Sequence, residues 1–338
     1  MSILQKKKSD FGRLTQLVIL VTMCLLMSST ALADATWTIR DTPTGGECVE
    51  MGGDWNPNTK TCSLEAFDLL FKGDSNPRFI EIMDNGITLD GSGADIYNLS
   101  ETPASGIYMS HRNNVVIKNC YLGGFHIGIN VVSGGSISIL DNQIDGYGIF
   151  YDPESSNIGT FGVLSLGENQ AIQGNWIEGY EAGVGLLLCH NTIVKHNTLS
   201  LNEWGYREAG GTGNMVYNNN FVDNSQDAYT KGGTQFYIHL PYGGNYWSAN
   251  SFQSGFGGCW DSDLDNICDD PYLPTGEEDI KDEYPWLIAD GWMNLTFSFE
   301  GIIGYLKKIL PNFDLSAGIQ KSLMSKLKNA HRSYIKGK

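Results

Sequence analysis

The chain has 338 residues, of which 41% are hydrophobic and 18% are charged, and its formal net charge is −16. Residues 34–300 carry a net charge of −26, whereas residues 301–338 carry +7. Because nucleic-acid phosphates need a basic surface, this composition excludes nucleic acid as a partner of the main body. The same acidic body repels polyuronates unless a cation bridges the two.

The N-terminus has the pattern of a secretory signal peptide. A basic start over residues 6–13 is followed by an apolar run over residues 17–27 and by a small-x-small ending at Ala33. We predict that residues 1–33 are removed and that the mature protein is secreted or periplasmic. The apolar run is too short to span a bilayer as a mature helix, so we expect no transmembrane segment after processing.

The six cysteines that remain after processing divide into two kinds. Export permits disulfide bonds, and four of the cysteines form pairs that are close in sequence within turn-rich segments. We predict the bonds Cys48–Cys62 and Cys259–Cys268. Cys120 and Cys189 lie in apolar, strand-like runs, which favours buried free thiols at these two positions.

Residues 34–75 are irregular in sequence, whereas residues 76–250 contain a repeat. Five segments share one apolar pattern, and one position in that pattern recurs at spacings of 22, 33, 22 and 22 residues: Cys120, Asn142, Asn175, Asn197 and Asn219. The excess of 11 residues falls near a turn-rich loop over residues 151–161. We predict stacked coils of short strands with an N-terminal cap over residues 34–75. Asparagine at one place in successive coils predicts a structural hydrogen-bonded ladder.

Three features carry a resemblance to a known family. The segment Gly86–Ala94, the 22-residue coils and the closing block that begins at Gly243 resemble the NosD-type periplasmic copper-binding β-helix family. That family is part of the wider group of carbohydrate-binding and sugar-hydrolase (CASH) β-helices. The resemblance covers roughly residues 76–290 and implies an all-β, right-handed parallel β-helix solenoid. It implies no single activity, because this scaffold hosts many functions.

Residues 251–290 contain an acidic loop that closes the predicted solenoid. Alternating carboxylates place hard oxygen ligands around one point, as calcium requires. The loop resembles the D-x-D-x-D-G-x-x-D calcium loops of extracellular repeats, which implies a structural calcium ion held by Asp261, Asp263, Asp265 and Asp269. An acidic surface turn without metal is the alternative interpretation.

Aromatic residues recur through residues 176–237. Sugar rings stack on aromatic faces, so an aromatic-lined face of a β-helix suits a glycan. The candidate carbohydrate-binding residues are Trp176, Tyr180, Trp204, Tyr206 and Tyr229. Aromatic side chains also pack on coil surfaces or under loops, and the sequence favours neither interpretation over the other.

The sequence names no catalytic residue. Many carboxylates are available, among them Asp145 and Glu178, but no spacing singles out a pair that flanks a glycosidic bond. The segment Tyr147–Glu154 partly resembles the active-site motif of alginate C5-epimerases, but it lacks the histidine of that motif and so has no evident group for proton transfer. The histidines are scattered, so we predict no copper site.

Residues 291–338 form a basic tail with helical periodicity. One face of the predicted helix is apolar: Ile319, Leu323, Leu327 and Ala330. The stretch Gly318–Ala330 resembles the FIMAH-type helical module found at the ends of bacterial extracellular proteins. Docking of this helix on the acidic body and binding to another surface are both open.

Two hypotheses about function follow. In the first, the protein is a secreted β-helix that binds an extracellular polysaccharide, and an extension of this hypothesis adds processing of that polysaccharide. The acidic body favours a neutral glycan. In the second, it is a non-catalytic accessory or surface-interaction protein, which includes a NosD-like periplasmic role in the maturation of a copper enzyme. A convergent pair of acid and base residues on a groove would favour processing.

Overall fold

The computed structural model describes most of the chain after the predicted signal segment. Most of the turn-rich loop over residues 151–161 lies outside the described residues, and so does Asp263 of the acidic loop. The described residues are 31–33, 36–65, 68–71, 78–100, 102–146, 159–239, 243–250, 258–262, 265–274, 280–293 and 316–337.

The described strands form three sheets, in which neighbouring strands are parallel except for one antiparallel pair, β3 and β4. Sheet A contains β1 (Ala31–Ala33), β5 (Asp68–Phe71), β8 (Asp95–Asn98), β11 (Tyr121–Gly123), β14 (Gln143–Asp145), β17 (Trp176–Glu178), β20 (Thr198–Ser200), β23 (Asn220–Val222) and β25 (Tyr246–Trp247). Sheet B contains β2 (Trp37–Ile39), β6 (Arg78–Ile82), β9 (Ser105–Asn113), β12 (Ile127–Gly135), β15 (Phe161–Ser165), β18 (Ala182–His190), β21 (Trp204–Thr212) and β24 (Gln226–Tyr229). Sheet C contains β3 (Gly53–Asn56), β4 (Thr61–Leu64), β7 (Thr88–Asp90), β10 (Val116–Lys118), β13 (Ser138–Leu140), β16 (Ala171–Gln173), β19 (Ile193–Lys195) and β22 (Met215–Tyr217).

Each central coil contributes one strand to each sheet, in the order B, C and A. Val116 pairs with Ser138, and Ser138 pairs with Ala171, which reproduces the predicted shifts of 22 and 33 residues. The excess residues lie between β14 and β15. The predicted parallel β-helix is therefore confirmed, with the coil boundaries that the repeat indicates.

The core lies inside the coils and is built from the central residue of each short strand. Because alternate side chains of a strand point to opposite faces, the first and third residues of a three-residue strand point outward. In sheet A the central side chains are fully buried: Leu122, Ile144, Ile177, Leu199 and Phe221. Each such side chain contributes about 1.5–3 kcal/mol to stability through removal of apolar surface from water.

An asparagine ladder runs along the corner between sheets C and A, as the sequence predicts. The side-chain oxygen of Asn175 accepts hydrogen bonds from the backbone N–H and the side-chain amide of Asn142, both at 2.9 Å. The same pattern repeats through the next coils to Asn245. The residue before each ladder position from Asn142 to Asn219 has a positive φ, for example 54° at Asp141 and 56° at His196, which turns the chain at the corner.

The N-terminal cap is an apolar plug. Strands β3 and β4 form an antiparallel hairpin at the edge of sheet C, and Met51 and Trp55 are buried beneath it. The predicted Cys48–Cys62 disulfide bond is present in this plug. The segment Ala31–Ala33, which the sequence assigns to the signal peptide, pairs with β5 in this structure of the full chain.

The C-terminal end is closed by residues 258–262, 265–274 and 280–293, which include the predicted Cys259–Cys268 disulfide bond. Trp286 is 2% exposed and donates a hydrogen bond from Nε1 to the side-chain oxygen of Asn218 at 2.9 Å. Asp282 is fully buried at the end of the asparagine ladder, where its carboxylate accepts hydrogen bonds from the backbone N–H of Asn245 at 2.6 Å and from Trp247 Nε1 at 2.9 Å. This end therefore buries an ionisable group where the other end buries apolar ones.

The two remaining cysteines are buried free thiols, as the sequence predicts. Burial raises the pKa of Cys120 to about 12 and also raises the pKa of Cys189, so neither is a reactive thiolate at neutral pH. After residue 315 the chain forms a helix, α1 (Ala317–Gly337). Within the described part of the chain, no helix combines the length and the apolar character needed to cross a bilayer.

Candidate functional site

The outward surface of sheet A carries a compact set of aromatic and acidic side chains. We define the sheet A face as Tyr97, Tyr121, Asp145, Trp176 and Glu178. All five stand at first or third positions of short strands, and Tyr97 pairs in register with Gly123. Their outward orientation follows from burial of the intervening residues, such as Ile144 and Ile177.

Two tyrosine rings form one end of the sheet A face. The rings of Tyr97 and Tyr121 lie with centroids 5.3 Å apart and planes tilted by 55°. They lie across Gly123, where an added Cβ atom would be 2.6 Å from Cδ1 of Tyr97. The glycine therefore allows the rings to lie against the sheet. Burial, the neighbouring Tyr97 and the Asp145 carboxylate raise the pKa of Tyr121, so its hydroxyl stays a neutral donor.

Two carboxylates lie at the centre of this face. Asp145 and Glu178 are register partners on β14 and β17, and parallel strands are about 4.8 Å apart. Tyr121 donates a hydrogen bond to Oδ2 of Asp145 at 3.3 Å, from the preceding coil.

Glu178 accepts hydrogen bonds from its own coil and from the following coil. Its Oε2 atom accepts from Nε1 of Trp176 at 2.8 Å and from Oγ of Ser200, in the following coil, at 3.1 Å. The coils before and after the pair thus each supply a hydroxyl donor to it. This arrangement holds two acceptors side by side next to an indole ring that is 47% exposed.

The structure does not bring the five predicted carbohydrate-binding residues onto one surface. Trp176 lies on the sheet A face, whereas Trp204 and Tyr229 lie on sheet B with ring centroids 5.7 Å apart. Tyr180 and Tyr206 are only 3% and 0% exposed, and burial raises the pKa of both hydroxyls. Their rings belong to the core, where a sugar cannot stack on them.

Sheet B carries a second, smaller surface with a different charge. Arg207 forms an ion pair with Glu181 at 2.8 Å, and the Lys231 ammonium lies 5.9 Å from the centre of the Tyr229 ring. By contrast, the strands of sheet A from β5 to β25 contain no lysine or arginine. The outward surface near sheet B therefore carries charges of both signs, whereas these strands of sheet A carry no cation.

A groove of about 390 Å³ runs along the edge between sheets B and C. It is lined by His111, Asn113, Ser133, Gly134, Leu166, Gly167, Glu168, Leu188 and His190. His111 and His190 each have a local partner, because their Nδ1 atoms lie 2.8 Å from Ser110 Oγ and 3.0 Å from Thr212 Oγ1. Across the described residues, no three His, Cys, Asp or Glu side chains converge as a metal site would require.

The acidic loop is a tight turn that its own carboxylates hold together. Asp261 accepts hydrogen bonds from the backbone N–H groups of Asp265 at 3.2 Å and Asn266 at 2.9 Å. Asp269 accepts from the backbone N–H of Ser262 at 2.8 Å, and Asn266 has a φ of 65°. These oxygens are of the type that calcium prefers. Asp263, the fourth predicted ligand, lies outside the described residues.

The sequence-based search missed Tyr97, Tyr121 and the pairing of Asp145 with Glu178. The signal for the pair was present in the repeat, because each carboxylate follows its ladder asparagine, Asn142 or Asn175, by the same three positions. The sequence search sought a pair by linear spacing, whereas the coil brings together residues that are 33 positions apart.

Comparisons with known proteins yield a family and similar solved structures. A family model described as periplasmic copper-binding protein (NosD) matches residues 71–251, which is more than half of the chain. No curated protein sequence matches the chain significantly. The crystal structure of Dettilon tailspike protein (gp208) is similar with a TM-score of 0.29 and 10% identity. That alignment covers 58% of this chain and 48% of the tailspike chain, so the chain matches about half of the tailspike's length.

Proposed function

The chain belongs to the NosD family of proteins, and from this premise we propose that it is an exported β-helix that binds a neutral polysaccharide along the sheet A face. The observation that carries the proposal is the half-exposed Trp176 ring next to the paired carboxylates Asp145 and Glu178. An aromatic face stacks on a sugar ring, and carboxylates accept hydrogen bonds from its hydroxyl groups. The two disulfide bonds agree with an oxidising compartment outside the cytoplasm.

The charge of the surface supports a neutral glycan. Sheet A contributes Asp145 and Glu178 to its outward surface, and its strands from β5 to β25 contribute no cation. A polyuronate would place further carboxylates beside these two, and their mutual repulsion would oppose binding. A neutral sugar presents hydroxyl donors to the same acceptors.

Cleavage of the bound glycan is a second candidate function, and the pairing of Asp145 with Glu178 favours it. Glycoside hydrolysis uses two carboxyl groups that flank the scissile bond, one to protonate the leaving oxygen and one to act as a base or nucleophile. Glu178 accepts hydrogen bonds from Trp176 and Ser200, and Asp145 accepts one from Tyr121, so both carboxyl groups are held in place on the sheet A face.

A panel of neutral and acidic polysaccharides tests both functions at once. We expect the mature protein to be retained on a neutral glycan, and Trp176→Ala to weaken retention by about tenfold, which is about 1.4 kcal/mol. Trp260→Ala is the matched control, because Trp260 is 61% exposed in the segment that closes the C-terminal end and is not part of the sheet A face. Equal effects of the two substitutions would contradict the proposed location.

New reducing ends distinguish binding from cleavage. If Asp145→Asn and Glu178→Gln abolish the release of new ends but leave retention nearly unchanged, the pair is catalytic. Retention without new ends makes the protein a binding module. If the folded protein neither is retained nor releases ends, the glycan function is excluded and the accessory-protein hypothesis remains.

Copper and calcium differ in how well their preferred ligands match the residues of this chain. Copper takes converging imidazole or sulfur ligands, and the described residues offer no such cluster, so we derive no step through copper. For calcium, Asp261, Asp265 and Asp269 supply oxygen donors of a suitable type, but these three described carboxylates do not converge on one point. We propose that calcium, when bound, strengthens the acidic loop without taking part in glycan binding.

A further inference from the structure

The C-terminal helix α1 has an apolar stripe with one lysine, Lys326, at its edge, and a basic side opposite that stripe. It has 21 residues, which corresponds to a length of about 31 Å. Ile319, Leu323 and Leu327 are spaced by four residues and share one side of the helix. Lys321, Lys328 and Arg332 share the opposite side, because seven residues make about two turns and four make about one. The helix contains basic residues and no aspartate or glutamate.

Both sides of α1 are accessible. Ile319 is 51% exposed, and Leu323 and Leu327 keep partial exposure. Lys321 and Lys328 are exposed. Among the described residues, the apolar stripe is narrow and partly exposed and the opposite side is basic, which is the pattern of a helix that lies in a membrane interface.

Among the described residues, the acidic body forms no ion pair with this helix. The ion pairs found among the described residues all lie between Asp41 and Glu283, and none includes a residue of α1. The buried core of the solenoid, within the same described ranges, likewise contains no residue of α1. Within the described ranges, no ion pair or core contact therefore supports the self-docking that the opposite charges of tail and body allow.

We propose that α1 binds flat on a membrane surface that contains anionic lipids and thereby anchors the exported β-helix. The basic side attracts the negative headgroups, and the apolar stripe enters the boundary between headgroups and acyl chains. The helix lies on the bilayer and does not cross it, because its basic residues are spread along its length. Glycan binding by sheet A is independent of this interaction.

Vesicle cosedimentation of the full-length mature protein tests the proposal. The vesicles contain phosphatidylcholine, either alone or mixed with phosphatidylglycerol. We expect binding to the mixed vesicles only, and a loss of about tenfold or more for Lys321→Glu/Lys328→Glu/Arg332→Glu. The matched control reverses three body lysines that form exposed ion pairs, Lys60→Glu/Lys118→Glu/Lys281→Glu, and we expect it to bind nearly as well as the unmodified protein.

A second variant separates insertion from simple charge attraction. Leu323→Ser removes part of the apolar stripe and should weaken binding most clearly at high salt, where charge attraction is screened. Equal binding to both vesicle types, or equal losses in the helix and body variants, would overturn the proposal. A shift in the thermal unfolding of the β-helix caused by the helix variant without vesicles would show self-docking and would overturn it as well.

Discussion

The two ends of the solenoid are both covered by caps, but the buried groups of the two caps differ in chemical character. Each end exposes strand edges that must be covered. The N-terminal cap covers them with Met51, Trp55 and the Cys48–Cys62 bond, all of which are buried and apolar. The C-terminal cap instead places the carboxylate of Asp282 over the last coil, between tryptophan side chains.

Because of this difference, we expect the stability of the C-terminal end to depend on pH more strongly than that of the N-terminal end. Burial raises the pKa of Asp282 to about 7 and that of Asp227, whose carboxylate accepts a hydrogen bond from Tyr272 at 2.5 Å, to about 6. No titratable group of comparable burial lies among the described residues of the N-terminal cap. The C-terminal end should therefore open first as the pH rises.

The largest expected effect comes from removing the aromatic plug of the C-terminal cap. Trp286 is 2% exposed and packs closely on Gly243, so Trp286→Ala should lower the free energy of unfolding by about 3–5 kcal/mol. Denaturant titration followed by circular dichroism measures this. Trp260→Ala, a substitution of an exposed tryptophan in the same cap, should change stability by less than about 0.5 kcal/mol. Similar losses for both variants would show that Trp286 does not close the end.

Removal of the disulfide bonds should have the next largest effect. Cys48 and Cys62 are separated by 14 positions, and closure of a loop of that length contributes about 3 kcal/mol in the chain-entropy model. The second bond, Cys259–Cys268, closes a loop of 9 positions and is expected to contribute about 2.5 kcal/mol. Thermal unfolding of the two double-serine variants, each compared with the unmodified protein, measures both contributions. A loss confined to one variant would show that only that bond stabilises its end.

A change of pH provides a test of the C-terminal cap. Because Asp282 and Asp227 have raised pKa values in the folded protein, the folded state binds their protons more tightly than the unfolded state. Their contribution to stability is fully present below about pH 4 and is lost as the pH rises through about 6 and 7. We expect the protein to lose about 2 kcal/mol of stability or more between about pH 5 and pH 8 from these two groups.

The variant Asp282→Asn checks the origin of that pH dependence. It cannot ionise, so the slope of stability against pH in the same range should fall by about half, even though the variant loses one hydrogen-bond acceptor. Urea titrations at several pH values measure the slope. An unchanged slope would assign the pH dependence to groups elsewhere in the molecule.

The smallest expected effect concerns calcium at the acidic loop. At a calcium concentration about ten times the dissociation constant, binding to the folded protein alone adds about 1.4 kcal/mol. We expect chelation to lower the unfolding temperature of the unmodified protein and to leave that of Asp261→Asn/Asp269→Asn unchanged. No effect of calcium on either protein would favour the acidic turn without metal.

Much of the fold could be predicted from the sequence because coil stacking repeats the same local chemistry. The recurrence of asparagine at Asn142, Asn175 and Asn197 indicated both the register and the ladder, since an amide in that corner finds its partners in the neighbouring coils. The disulfide bonds were predictable from short separations in turn-rich segments.

The candidate site was less predictable because outward and inward positions differ by a single residue. The sequence analysis placed Tyr206 among the candidate carbohydrate-binding residues, but Tyr206 pairs in register with Val184 and the structure buries both side chains. The carboxylate of Glu208, two residues later, is also buried, and its polar neighbours come from turns that no periodic pattern specifies. Ring contacts such as that between Tyr97 and Tyr121 depend on the glycine between the strands.

The hydrogen bonds of the asparagine ladder also have one direction along the solenoid and a defined end. Every amide in the row donates toward the C-terminal end, so each added coil must present an acceptor and pass on a donor. Asp282 accepts at the end of the row and, in its ionised form, has no hydrogen to pass on. The ladder therefore runs in one direction from Asn142 to Asn245 and ends at a group of the C-terminal cap, so a further coil could extend the row only if an asparagine replaced Asp282 as the acceptor for Asn245.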